Sequence, residues 1–120
     1  MAEAEPVTSA QAQPVIVTLP AEIDMANADG IGKQLAAAPG PGVAVVIADM
    51  TATTFCDSVG MRMLVLARRQ AVTAGTDLRL VLLCPQVLRV MKIEGVDAVL
   101  PTYRNLDEAL SGLAVTTGGT

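Results

Sequence analysis

The chain has 120 residues, a net charge of −4 and 52% apolar residues, with one Phe, one Tyr and neither Trp nor His. A chain of this length is one domain that removes roughly 65% of its unfolded surface on folding, and its apolar content excludes a disordered polymer. No basic cluster exceeds the Arg68-Arg69 pair and no aromatic platforms are present, which excludes a nucleic-acid-binding face.

The first cation is Lys33, so no basic segment of a signal peptide precedes it, and no apolar run approaches the ~18 residues of a membrane helix. These features predict a cytoplasmic protein without direct membrane insertion. Cys56 and Cys84 are then reduced thiols that act as small apolar fillers near strand ends.

Residues 1–12 read as a flexible leader of small polar residues, with room for one short edge strand. "PVIVTLP" (14–20) is β-branched and predicts a strand. Asp24 then caps a helix over about 25–37, weakened by Gly30 and Gly32 and stopped by "PGPG" at 39–42. "VAVVIAD" (43–49) is an apolar run typical of a strand covered on both faces. A polar loop leads to a second helix over about 58–74, which "AGTD" ends. "LRLVLLC" (78–84) is another buried strand, and Pro85 opens a third helix with Gly95 at its C-terminal cap. A short strand lies within 98–103, and Asn105 or Asp107 opens a last helix that ends near Gly112. The boundaries are therefore a leader at 1–12, a domain over 13–114 and a flexible tail at 115–120. Alternating strands and helices predict an α/β fold around a parallel sheet.

The stretch "FCDSVGMRML" (55–64) carries the chemistry. Ser58 sits between strand and helix, as in the hydrolase elbow, but the first glycine of G-x-S-x-G is missing and the chain has no histidine. A Ser-His-Asp triad cannot be built, and the lysines Lys33 and Lys92 lie far from the motif. Zinc chemistry lacks ligands, no calcium-loop spacing occurs, and neither "GIGK" nor "GPGV" follows a strand as a phosphate loop must. Asp49 at a strand end invites comparison with a phosphoacceptor aspartate, but the strand at 78–84 ends in Cys84-Pro85 and supplies no lysine. Asp49 reads more simply as an acid that supports the following loop. The expectation is a protein that is not an enzyme and holds no metal or cofactor.

Two readings of Ser58 remain. It is a helix cap, or it is a modified residue whose phosphate sits at a helix N-terminus. Asp57, and Asp24 and Asp49 if the loops converge, would repel that phosphate; two unit charges ~6 Å apart repel by roughly 3 kcal/mol at an effective dielectric near 20. The free domain tolerates this in solvent, whereas an interface that must desolvate the group does not. Such a position suits an on/off binding switch.

At this point the residues resemble a known family. The run "ADMTATTFCDSVGMRMLVLARRQAVTAGTDLRLVLLCPQVLRVMKIEGVDAVLPTYRNLDEAL", with "AEIDMANAD" upstream, resembles the STAS domain of bacterial anti-sigma factor antagonists over about residues 14–113. The resemblance implies a central sheet of four to five strands in strand–helix alternation with about four surrounding helices. It implies a phosphoacceptor at Ser58, with Asp57 and Gly60 as the flanking acid and glycine and Asp24 as the acid of the upstream element. The implied partner is an anti-sigma factor that is also a serine kinase of the histidine-kinase-like ATPase fold, captured by the unphosphorylated antagonist so that a sigma factor is released. A metal-dependent serine phosphatase restores the serine. Ala21 stands where the family often has glycine and Val59 where a small hydroxyl residue is frequent, so the turn at Ala21 is in question while the phosphoacceptor is retained. STAS domains also serve as adaptor subunits of membrane transport complexes that move lipids or anions, which is the alternative reading.

On a helix wheel, Val59, Gly60, Met63, Leu64, Ala67 and Ala71 share one arc that should face the sheet. Ser58, Met61, Arg62, Val65 and Arg69 share the opposite arc, which is expected to contact the partner, or else to be a solvated face. Aspartate at Met61 or Val65 is accordingly expected to weaken binding and leave the fold intact. Gly60 is disfavoured inside a helix, and close approach of either a partner or the adjacent strand accounts for it.

Overall fold

The computed structural model describes residues 13–111. The expected leader with its edge strand, the tail at 115–120 and the end of the last helix near Gly112 lie outside the described residues.

The strands β1 (Val15–Thr18), β3 (Val45–Met50), β5 (Asp77–Leu82) and β6 (Thr102–Tyr103) form a four-stranded parallel sheet in the order β1-β3-β5-β6. Parallel neighbours need crossover connections, and the helices supply them. Between β1 and β3 comes α1 (Ala28–Ala37), between β3 and β5 comes α2 (Ser58–Thr73), and between β5 and β6 comes α3 (Pro85–Ile93) with a 3₁₀ turn at Val96–Ala98. A last helix, α4, occupies 106–111.

Both faces of the two central strands are covered, and β3 is apolar on both over Val45–Ala48, whereas β5 carries Asp77 and Arg79 on one of them. Val46, Ala48 and Met50 of β3 and Leu78, Leu80 and Leu82 of β5 point into the larger core, against Ile31 and Leu35 of α1, Leu64 and Ala67 of α2, and Met91 of α3. The alternate residues Val45, Ile47 and Val81 face a smaller cluster closed by Ala109 and Leu110 of α4 and by Tyr103. Arg79 also lies on this thin side. It is buried, pairs with Asp77 at 2.8 Å, donates to the Ala109 carbonyl at 2.6 Å and sits 6.0 Å from the Tyr103 ring.

Most elements fall where the sequence places them, within a few residues. Asn105 accepts from the Glu108 N–H at 2.8 Å and is the residue that opens α4. Gly95 takes the left-handed conformation, φ 76°, just past the end of α3. The short strand expected within 98–103 is Thr102–Tyr103, behind the 3₁₀ turn. Two readings need correction. The helix expected from residue 25 begins at Ala28, because the Asp24 carboxylate accepts from the Ala26 and Asn27 N–H groups and holds an extra turn ahead of it. A second parallel ribbon pairs β2 (Glu22–Ile23) with β4 (Phe55–Cys56), two segments read from sequence as a helix lead-in and a loop. Thr53, which donates to the Pro20 carbonyl at 2.8 Å, clamps the loops that carry this ribbon.

Candidate functional site

The β2–β4 ribbon delivers the chain to the start of α2. The ladder continues one residue past β4, where the Asp57 N–H donates to the Ile23 carbonyl at 3.0 Å. Asp57 is extended (φ −85°, ψ −178°) and is the N-cap of α2. One carboxylate oxygen accepts the Gly60 N–H at 2.8 Å; the other accepts the Met25 N–H at 3.1 Å, from the loop before α1. One side chain therefore satisfies an orphan helix donor and ties two loops together.

Asp24 lies in that second loop. Beyond its two backbone acceptor bonds, its own N–H donates to the Asn27 side-chain oxygen at 2.9 Å, and the Asn27 amide donates to the Glu22 carbonyl at 2.8 Å. Asp24, Asp57 and Gly60 are thus brought together. Asp49 is not joined to them by any hydrogen bond among the described residues. It accepts from the Thr51 N–H at 3.0 Å and the Thr51 hydroxyl at 2.8 Å, and so supports its own loop.

Ser58 is the first residue of α2 and is exposed. The cap is Asp57, which corrects the reading of Ser58 as the capping side chain: its hydroxyl makes no hydrogen bond among the described residues. That leaves a free hydroxyl beside a rigid turn.

Gly60 is buried, and its neighbours explain it. A Cβ there would lie 2.7 Å from the Ile23 Cγ2 and 2.8 Å from the Cys56 Sγ. The close approach is to the ribbon. Gly60→Ala relieves the helix of glycine's cost but overpacks the buried side chains of Ile23 and Cys56. We expect a net loss of about 1–3 kcal/mol in urea unfolding; equal or greater stability would show that the ribbon yields freely. The Cys56 thiol is itself pushed up to about 12, by burial first and by the Asp57 charge second, and is protonated at neutral pH.

The exposed face of α2 is rotated from the expected one. Arg62 and Arg69 are exposed, as the wheel predicts, and Val65 is half-buried against the core. Met61 is only 1% exposed and belongs to the core, so it is removed from the partner-facing set. In its place the structure exposes Val59 and Leu66, at 42% and 44%. With Met25, at 73%, they border a groove of about 410 Å³ between α1 and α2, lined also by Met63, Arg62 and Lys33. Leu66 follows Arg62 by one helical turn, and that spacing was the available signal for it.

The cations here are unevenly engaged. Lys33 pairs with Asp29 at 3.3 Å, and Arg68 is held by Asp77 and the Leu78 carbonyl. Arg62 and Arg69 have no ion pair among the described residues. No group of three or more metal-ligating side chains occurs among the described residues, and no described helix is long and apolar enough to cross a membrane.

Solved structures similar to this fold include anti-sigma factor antagonists and transporter STAS domains. An anti-sigma factor antagonist from Mycobacterium paratuberculosis is 26% identical, with a TM-score of 0.73 over 82% of this chain and 84% of the other. The anti-sigma factor antagonist SpoIIAA in its unphosphorylated form is 20% identical, with a TM-score of 0.69 over 86% and 90%. The STAS domain of a SulP transporter from Vibrio cholerae is 14% identical, with a TM-score of 0.68 over 95% and 96%. At the last two identities the likeness is one of fold alone. No curated protein sequence matches. The model of the STAS domain family matches residues 5–109, nearly the whole chain, and the parallel sheet and four helices of the described residues have that family's architecture. The chain belongs to the STAS domain family.

Proposed function

We propose that the chain is an anti-sigma factor antagonist switched by phosphorylation of Ser58. In this reading the unmodified chain captures an anti-sigma factor that is also a serine kinase of the histidine-kinase-like ATPase fold, and a sigma factor is released. The observation that carries the reading is the free, exposed Ser58 hydroxyl at the first turn of α2, beside the exposed groove of Val59, Arg62 and Leu66. The Ser58 oxygen attacks the γ-phosphorus of the kinase's nucleoside triphosphate. The new O–P bond replaces the bond to the diphosphate, which leaves as the hydroxyl gives up its proton. The phosphate then carries nearly two charges where a partner must exclude water. A metal-dependent serine phosphatase reverses the step. The antagonist contributes no catalytic group, cofactor or metal of its own.

The likeness to the Mycobacterium paratuberculosis antagonist supports this reading. The Vibrio cholerae transporter domain keeps a second one open, an adaptor subunit of a membrane transport complex. A pull-down from native lysate with unmodified, Ser58→Ala and Ser58→Glu baits separates them. The antagonist reading expects a histidine-kinase-like ATPase on the first two baits and none on the third. Transporter subunits held equally by all three baits favour the adaptor.

A further inference from the structure

We propose that Arg62 is the intramolecular receptor for the phosphoryl group on Ser58, so that modification withdraws the unpaired cation from the rim of the α1–α2 groove; this rests on reading Ser58 as the phosphoacceptor. Ser58 and Arg62 are both exposed and lie four residues apart on α2. That spacing puts them on one face with a rise of about 6 Å, and an anion N-terminal to its cation is the favourable order. The other cations are badly placed or engaged. Arg69 is about 16 Å from Ser58 along the helix axis. Arg68 is bound to Asp77, and Lys33 to Asp29 across the groove.

The nearby acids leave Arg62 free. Helix α2 carries Arg62, Arg68 and Arg69 and no acidic residue. Asp57, beside Ser58, spends both oxygens on the N–H groups of Gly60 and Met25, and Asp24 accepts from Ala26 and Asn27. In the unmodified chain Arg62 is thus a free cation lining the apolar groove. A phosphate on Ser58 gives it a partner one turn away and draws it toward the N-terminus of α2. The groove then changes at two points at once: an anion is added at its end and a cation is lost from its rim.

The test needs no partner. Phosphoserine is placed at position 58 during translation, and the second ionisation of the phosphate is titrated by ³¹P NMR in the Arg62 chain and in Arg62→Gln. The charged groups on the elements around position 58 are Arg62 on α2, Asp57 at its cap, and Asp24, Asp29 and Lys33 on the α1 side; only the first changes. Arg62 is expected to lower the phosphate pKa by about half a unit relative to Arg62→Gln. Arg62→Lys should restore most of the difference, and 1 M salt should remove it. Equal values in the Arg62 and Arg62→Gln chains would overturn the proposal, as would an equal effect of Arg69→Gln. Because no kinase is present, a failure here leaves the capture reading standing, and a failed pull-down leaves this pairing measurable.

Discussion

Met61→Asp abolishes cooperative folding, whereas Leu66→Asp, five residues along the same helix, leaves the fold intact. This is the expected result if α2 is rotated as described. Met61 is 1% exposed within the core that joins α1, α2 and the sheet. Removing it forfeits about 1.5–3 kcal/mol of apolar burial. The aspartate adds an unpaired carboxylate, which costs several kcal/mol more whether it stays charged or takes up a proton. The sum rivals the roughly 5–15 kcal/mol by which such domains are stable at all. Leu66, 44% exposed at the groove, can turn a carboxylate to solvent and should cost no more than about 1.5 kcal/mol. Thermal unfolding followed by circular dichroism distinguishes the two. A cooperative transition for Met61→Asp near that of the parent would put the face of α2 back where the helix wheel had it.

The second large effect lies on the thin side of the sheet. Asp77 holds two guanidinium groups, those of Arg79 and Arg68, and Arg79 is 4% exposed. Burial pushes the Asp77 carboxyl up, but the hydrogen bonds and charges of Arg79 and Arg68 outweigh it and hold the carboxyl below its ordinary value of 3.8. A carboxylate with a depressed folded-state pKa stabilises the fold fully above the unfolded value. That contribution drains away as the pH falls below about 3.8 toward the lower folded value. Asp77→Asn leaves Arg79 buried with only the Ala109 carbonyl as a strong acceptor. Breaking one side of a buried pair costs about 3–5 kcal/mol; with Asp77 itself 30% exposed, about 2–4 kcal/mol is expected at pH 7. Guanidinium unfolding should show this deficit at neutral pH and a smaller one below pH 3. A deficit that stays constant from pH 7 to pH 3 would show that the charge of Asp77 contributes nothing and that only its shape matters.

The sheet was legible because the runs 43–48 and 80–83 are continuously apolar, as strands covered on two faces require, and because "PGPG" and "AGTD" stop helices for backbone reasons. The β2–β4 ribbon was not legible. Two residues are too short to show a period, and what places them is main-chain pairing across more than thirty positions of sequence. The helix wheel failed at Met61 for a related reason. Methionine is apolar on either side of a helix, and Met61 lies at the margin of the buried arc, so small errors in the arc's centre reverse it. At the site, Asp57 and Ser58 are adjacent and both favoured as caps. The extended backbone at Asp57 decides between them and frees the Ser58 hydroxyl. Gly60 was legible as an anomaly, but its cause, Ile23 and Cys56 at its back, is tertiary.

In the proposed function, one phosphate on Ser58 ends the association with the partner. The direct measurement is a calorimetric titration of the kinase that the proposal expects the unmodified chain to retain, against that chain with serine and then phosphoserine at position 58. Desolvating the phosphate beside Asp57 is expected to cost about 4 kcal/mol, a loss of roughly a thousandfold in affinity. Equal affinity for the two forms would contradict the switch and leave Ser58 as an ordinary exposed residue in the first turn of α2.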